Sequence, residues 1–232
     1  MHAVRGIVFD KDGTLFDFQT TWAAVTGQML EVLADGDAAL ESRLAHAAGY
    51  DLAARKLLPG SVIVAATVVE SADVLLTAMP RGTDRGRVID TMLRLAETAP
   101  QIEAVPLVPY FDDLRARGLA VGVATNDGIE PARMHLDRAG VLGHMDFIAG
   151  YDSGHGAKPA PGQLHAFCAA TGLSAESVLM VGDSRHDLLA GRAAGMRTVG
   201  VLTGLATAAD LAPEATMVFD HIGHIPDWLD TL

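Results

Sequence analysis

The stretch GIVFDKDGTL, residues 6–15, is a short apolar run that ends in two aspartates one residue apart. A run of this length and composition predicts a buried β-strand. Because side chains alternate between the two faces of a strand, we expect Asp10 and Asp12 to point the same way and Lys11 to point elsewhere. Two convergent carboxylates favour a metal ion or a shared proton. Gly13 allows a tight turn and offers its amide to an anion, so the segment indicates chemistry on a phosphate group.

Further apolar runs that resemble this one follow later in the chain, at residues 119–124, 145–149, 178–181 and 198–202. Helical patterns at 110–117, 130–139, 162–170 and 186–194 alternate with them, and glycines at 118, 140, 172 and 195 end these patterns. This alternation predicts an α/β fold, with a Rossmann-like parallel sheet and helices on both faces. Functional residues in such folds gather at the carboxyl ends of the strands.

Residues 18–105 show helical periodicity without turn-bounded strands, so the sequence predicts an inserted all-α domain there. The catalytic core would then comprise residues 1–17 and 106–232. Asp37 and Asp51 are predicted helix starts, and the capping-box spacing of Thr67 and Glu70 predicts a helix from Val68. A last helix is predicted at 84–98, before the prolines at 100, 106 and 109.

Charge and cysteine content restrict the function classes. The 17 basic and 29 acidic residues give a net charge of -12, which argues against nucleic acid and membrane surfaces as partners. A small phosphorylated metabolite remains compatible, because a divalent cation and a few local donors outweigh the far field at contact distance. Cys168 is the single cysteine, and the sequence shows no secretory signal, so we expect a cytoplasmic protein. The oligomeric state stays open.

Three more polar motifs lie next to predicted strands: Thr125–Asn126 after the second, Lys158 after the third, and GDSRHD at 182–187 after the fourth. With the first segment, their order resembles the haloacid dehalogenase superfamily of phosphotransferases, whose motifs are a DxDGT loop, a Thr or Ser, a Lys and an acidic GDxxxD-type loop. The helical insertion between the first two motifs is similar to the phosphoglycolate phosphatase-like branch, where it forms a cap over the core. Lys11 departs from that branch, which often has an apolar residue there.

The resemblance implies a Mg²⁺-dependent phosphoric monoester hydrolase that works through an aspartyl-phosphate. Asp10 would be the nucleophile and Asp12 the general acid and base. The implied metal site comprises an Asp10 carboxylate oxygen, the Asp12 main-chain carbonyl and Asp183, with Asp187 supporting the metal shell. The implied phosphate-binding residues are Gly13, Thr125, Asn126 and Lys158.

The substrate is expected to be a small phosphomonoester of the 2-phosphoglycolate or sugar-phosphate type. Five cations of the predicted cap could bind a second anionic group of the substrate: Arg55, Lys56, Arg81, Arg85 and Arg87. Each such residue is more often a solvent-exposed charge. Three alternatives remain open: a sugar phosphomutase of the β-phosphoglucomutase type, a phosphonatase that uses Lys56, and a catalytically silent regulatory or binding protein. Side chains interpreted as incidental or packed are His155, His186, His221, His224 and Cys168.

Overall fold

The computed structural model describes residues 3–64 and 66–232; residues 1 and 2, assigned above to the core, and 65, assigned to the insertion, lie outside them. The chain divides into two compact units. The first runs to Phe18 and resumes over Gln101–Leu232, and the second is Gln19–Pro100.

The strands of the described residues, in chain order, are β1 (Gly6–Phe9), β2 (Tyr50–Asp51), β3 (Lys56–Leu57), β4 (Ala120–Ala124), β5 (Phe147–Ala149), β6 (Val178–Gly182), β7 (Arg197–Val201) and β8 (Met217–Phe219). Six of them form one parallel sheet in the first unit, in the order β5-β4-β1-β6-β7-β8. The predicted Rossmann-like parallel sheet is therefore confirmed. Strand β8 was missed, because three residues at a sheet edge carry almost no periodic signal.

The α-helices are α1 (Phe18–Ala34), α2 (Ala38–Ala48), α3 (Val68–Ala78), α4 (Arg85–Glu97), α5 (Leu107–Ala116), α6 (Ile129–Arg138), α7 (Gly162–Thr171), α8 (Arg185–Ala193), α9 (Ala208–Leu211) and α10 (Ile225–Leu229). Short 3₁₀ turns occur at Leu142–His144, Ala175–Ser177 and Ile222–His224. The glycines predicted to end helices do so with positive φ: 75° at Gly118, 71° at Gly140, 72° at Gly172 and 80° at Gly195.

Alternate residues of the central strand enter two different cores. Ile7 and Phe9 pack with α5 and α10 on one face of the sheet, in a cluster that includes Phe111 and Ile225. On the opposite face, Val8 packs with residues of α7 and α8, among them Leu164, Phe167 and Ala190. Burial on both faces explains why the strands read as continuous apolar runs, and it confirms helices on both sides of the sheet.

The second unit is mainly helical but also contains an antiparallel ribbon, β2 paired with β3, which the sequence analysis missed. The prediction that Asp51 starts a helix is wrong. Its side chain instead accepts hydrogen bonds from Ala53 N and Ala54 N, both at 2.9 Å, and so forms the turn of the ribbon. The predicted starts at Asp37 and Thr67 are confirmed, the latter as a complete capping box with Glu70.

Candidate active site

The loop after β1 is held in a closed turn by its own backbone. Gly13 has φ 85°, donates to Phe16 O at 2.7 Å, and accepts from Thr203 Oγ1 at 2.6 Å. Asp10 N donates to Val181 O at 2.8 Å, so Asp10 leaves the sheet beside the end of β6. A side chain at Gly13 would be strained by the positive φ and would also overlap the Asp183 carboxylate. Glycine at 13 therefore brings the loops after β1 and β6 into direct contact.

Three buried carboxylates converge at these strand ends. One oxygen each of Asp10, Asp183 and Asp187 lies within 4.8 Å of the others. Lys158, itself only 4% exposed, places Nζ at 2.5 Å from Asp10 Oδ1 and at 2.6 Å from Asp187 Oδ1. The structure thus brings together one predicted residue from the first motif, the predicted lysine and both aspartates of the fourth motif.

The cluster carries three acidic groups and one cation, and its pKa values reflect that imbalance. Burial raises the pKa of Asp10 to about 7; Lys158 opposes the shift and Asp187 adds to it. Burial, followed by repulsion from Asp10 and Asp187, also raises the pKa of Asp183 well above its ordinary value. Although burial alone would lower it, the pKa of Lys158 is raised, because Asp10 and Asp187 stabilise the ammonium. Excess negative charge of this kind favours a further cation.

The donor set fits a hard divalent cation such as Mg²⁺, which prefers carboxylate and carbonyl oxygen. Asp183 is confined toward the cluster, since a Cβ at either Gly13 or Gly204 would overlap its carboxylate. Asp187 is fixed differently: its Oδ2 accepts from Ser184 N at 3.0 Å and from Ser184 Oγ at 2.7 Å, in a capping box that starts α8. Both Asp187 oxygens therefore have protein partners, which suits a supporting position.

The loop after β4 orients the lysine. Asn126 accepts from Lys158 N through Oδ1 at 2.8 Å and donates to Lys158 O through Nδ2 at 2.9 Å. This two-point contact fixes the backbone on both sides of the Lys158 side chain, a role that the sequence analysis did not assign to Asn126. Thr125 is 2% exposed, and its Oγ1 accepts from Asp127 N at 3.1 Å.

Gln163 is a scaffold residue that the sequence analysis missed. It is fully buried on α7 and donates through Nε2 to Thr125 O and Gly156 O, both at 3.0 Å. These bonds join the loops after β4 and β5, which carry Thr125 and Lys158. No pattern in the sequence distinguishes this glutamine from an ordinary helical one.

The expectation that Lys11 points away from Asp12 is wrong. Strand β1 ends at Phe9 and the chain bends at Lys11, so strict alternation does not extend to Asp12. The Asp12 carboxylate lies outside the cluster of Asp10, Asp183 and Asp187, and its Oδ2 is 2.5 Å from Lys11 Nζ. The metal contact that the resemblance implies for Asp12 is made by its main-chain carbonyl, so the position of the Asp12 side chain does not bear on that contact.

The remaining candidates differ in exposure and in their local contacts. His155 and His186 are exposed, while the His221 and His224 rings stack on each other at 4.4 Å between centroids. Cys168 is partly buried against the core, as expected. All five cations named in the second unit are exposed, and one of them, Arg85, pairs with Asp73 at 2.6 Å. Within residues 3–64 and 66–232, no helix is long and apolar enough to cross a membrane.

Comparison with known proteins supports the resemblance over nearly the whole chain. Residues 4–195 match the family model described as haloacid dehalogenase-like hydrolase. The chain is 29% identical over 239 residues to a phosphoglycolate phosphatase of Rhodospirillum rubrum, covering 97% of this chain and 90% of that protein. It is 32% identical over 206 residues to a phosphoglycolate phosphatase of Pectobacterium atrosepticum, covering 87% of this chain and 82% of that protein.

A crystal structure described as a predicted phosphoglycolate phosphatase from Haemophilus somnus shares the fold, with a TM-score of 0.72 at 19% identity over 98% of this chain and 99% of that one. The predicted enzyme class, a phosphoric monoester hydrolase, is confirmed by these relatives and by the family model. The chain belongs to the haloacid dehalogenase-like hydrolases.

Proposed function

We propose that the chain is a Mg²⁺-dependent phosphatase that hydrolyses a small phosphomonoester through an aspartyl-phosphate on Asp10. The observation that carries the proposal is the buried cluster in which Lys158 Nζ contacts Asp10 Oδ1 at 2.5 Å while Asp183 and Asp187 lie alongside. A carboxylate so enclosed is shielded from water, and the neighbouring cation favours its ionised form against the effect of burial on its pKa.

In the first step, an Asp10 carboxylate oxygen attacks phosphorus and the bond between phosphorus and the ester oxygen breaks. Asp12 donates its proton to that oxygen, which leaves as an alcohol. Asp10 is then an acyl phosphate and Asp12 a carboxylate. Lys158, the Thr125 hydroxyl and the backbone amide of Asn126 would bind the phosphoryl oxygens, whereas the Gly13 amide donates to Phe16 O and holds the loop closed.

In the second step, Asp12 takes a proton from a water molecule, whose oxygen attacks phosphorus. The bond from phosphorus to the Asp10 oxygen breaks, which releases inorganic phosphate and restores both aspartates to their starting states. Asp10 and Asp183, with the Asp12 main-chain carbonyl, would hold Mg²⁺, and Asp187 would support them. When bound, the ion supplies charge neutralisation at the phosphoryl oxygens.

Substrate size and type are proposed from the relatives. Both curated relatives described above are named phosphoglycolate phosphatases, which supports 2-phosphoglycolate as the first compound to test. Sugar phosphates are the second class. We further propose that the unit Gln19–Pro100 acts as the substrate-selecting cap, because it is inserted in the chain between the loop that carries Asp10 and the loop that carries Thr125.

The test is inorganic phosphate release from a panel of phosphomonoesters, including 2-phosphoglycolate, sugar phosphates and p-nitrophenyl phosphate, with Mg²⁺ and with a chelator. The variant is Asp10→Asn, and the matched control is Asp137→Asn, which makes the same chemical change at an exposed position of α6. We expect release that requires both Mg²⁺ and Asp10, and full activity of the control.

Asp10-independent release, or release unaffected by chelation, would contradict the proposal. A bisphosphate-activated transfer between sugar hydroxyls without net phosphate release would indicate the mutase instead. Trapping of phosphonoacetaldehyde on Lys56 by borohydride would indicate a phosphonatase. Failure to form any adduct with beryllofluoride or a labelled phosphoryl donor would favour a silent binding protein.

A further inference from the structure

Lys11 occupies an unusual place for a lysine. Its side chain is fully buried, although it follows the strand that delivers Asp10. Its Nζ lies 2.5 Å from Asp12 Oδ2, 3.2 Å from Asp127 Oδ2 and 3.0 Å from His135 Nδ1. A buried ammonium is costly unless it is paired and hydrogen-bonded, and here each of those requirements is met.

The partners of Lys11 come from two neighbouring strands of the sheet. Asp12 lies in the loop after β1, whereas Asp127 follows Thr125 and Asn126 in the loop after β4. The other oxygen of Asp127, Oδ1, accepts from Gly128 N at 2.8 Å, so the backbone fixes Asp127. Lys11 therefore ties the first motif to the second through a carboxylate that is itself anchored.

The backbone around Lys11 is equally constrained. Its carbonyl accepts from Leu15 N at 2.9 Å and from Phe16 N at 3.2 Å, and Gly13 N donates to Phe16 O. With both the backbone and the ammonium fixed, the Asp12 carboxylate that touches Nζ has a defined orientation. Asp12 Oδ2 faces the lysine, while Asp12 Oδ1 is buried and has no hydrogen-bond partner among the residues that the structure describes.

We propose that Lys11 is a positioning residue that, with Asp127, holds one oxygen of Asp12 and leaves the other available for proton transfer to the leaving group. The inference rests on the proposed function, in which Asp12 is the general acid. Lys11 itself touches no reacting atom in this account, and it acts through the orientation of Asp12. The Lys11 ammonium binds Asp12 on one side and Asp127 on the other. An apolar residue of similar length would therefore leave the Asp12 carboxylate without the partner that orients it.

The test compares leaving groups in Lys11→Met. For a two-step phosphatase, kcat/KM covers binding and the departure of the alcohol, but not the later attack of water. An alkyl phosphate needs its leaving oxygen protonated, whereas p-nitrophenolate leaves readily without a proton. We expect kcat/KM for the best alkyl phosphate of the panel to fall ~10- to 100-fold, as for partial loss of a general acid, and that for p-nitrophenyl phosphate to fall less than about threefold.

A merely structural role would lower both values by the same factor, or neither, and either result would overturn the inference while the proposed function stands. Absence of Asp10-dependent release by the native protein would instead overturn the proposed function, and with it this assignment. Ile225→Val, a modest core change in α10, is the control for general destabilisation and is expected to leave the ratio of the two substrates unchanged.

Asp127→Asn is the second variant, for use if Lys11→Met does not fold. Asparagine retains an oxygen for the Gly128 amide but removes the charge that holds the far side of the ammonium. We expect the same selective loss on the alkyl phosphate, smaller than in Lys11→Met. A loss that is equal for both substrates, or no loss, would contradict the positioning role.

Discussion

Replacing the proposed nucleophile is expected to stabilise the metal-free protein while abolishing its turnover. Asp10 is 7% exposed and has its pKa raised to about 7 by burial, against the opposing attraction of Lys158. In the unfolded chain the same group titrates near 3.8. The folded protein therefore holds Asp10 in its ionised form only at a cost, and Asp10→Asn removes that cost.

The sign and size follow from the two pKa values. Below pH 3.8 the carboxyl is protonated in both states, so it has no effect on stability. As pH rises toward about 7, the unfolded chain releases the proton while the folded protein retains it, and the free energy of unfolding falls. At about 1.4 kcal/mol for each pH unit of the difference, the full loss above pH 7 is ~4 kcal/mol. Asparagine carries no such penalty.

The assay is urea unfolding in a chelator at several pH values between 4 and 8. The chain has two tryptophans, and a Trp22→Phe background leaves Trp228, which packs against the core of the first unit, as the reporter. The free energy of unfolding of Asp10→Asn minus that of the native protein is expected to rise by ~2–4 kcal/mol between pH 4 and pH 8. Saturating Mg²⁺ should reduce this difference, because it binds the folded native site.

Asp137→Asn again serves as the control, and it should show no such rise because its side chain is exposed. A difference that stays constant with pH, or that falls as pH rises, would refute the reasoning. The size of the difference at any single pH is not the test, because asparagine and a protonated aspartate differ in their hydrogen bonds at every pH. The test is the change of the difference with pH.

Three other substitutions test the geometry of the cluster. Lys158→Met removes the one cation of the cluster. We expect kcat to fall ~10²- to 10³-fold and the metal-free protein to lose ~3–5 kcal/mol of stability at pH 8. Little change in either quantity would contradict the placement of Lys158 between Asp10 and Asp187. Asn126→Ala removes both hydrogen bonds to the Lys158 backbone, and we expect kcat to fall about tenfold with KM nearly unchanged; an effect on KM alone would argue against positioning. Gly204→Ala introduces a methyl group that overlaps the Asp183 carboxylate. The Mg²⁺ affinity, measured calorimetrically, should therefore fall ~10-fold or more. An unchanged affinity would exclude Asp183 as a ligand.

The first motif shows how far sequence reasoning reaches. Four apolar residues before Asp10 predict a buried strand, and burial on both faces confirms why they are all apolar. The prediction that Lys11 points away from Asp12 was wrong because alternation applies only while the backbone stays extended, and the chain bends directly after Asp10. Such a bend depends on hydrogen bonds between the loop and Phe16, which no local pattern encodes.

The expected domain boundaries, 1–17 with 106–232 and 18–105, stay predictions, and so does a cytoplasmic location. Along the sequence, the two compact units divide after Phe18 and after Pro100, within a few residues of those boundaries. The ribbon of β2 and β3 escaped the sequence analysis, because two-residue strands have no periodicity to detect.

By itself, the sequence determined the parallel α/β core, the order of the four motifs and the residue types of the site, since burial and strand-end placement leave periodic and positional signals. Only the tertiary structure decided which groups touch. Lys158 meets Asp10 across 148 residues, and Lys11 meets His135 across 124. These contacts arise where loops from different strands converge, and their energies depend on burial and on distances of a few ångströms, quantities that exist only after the chain has folded.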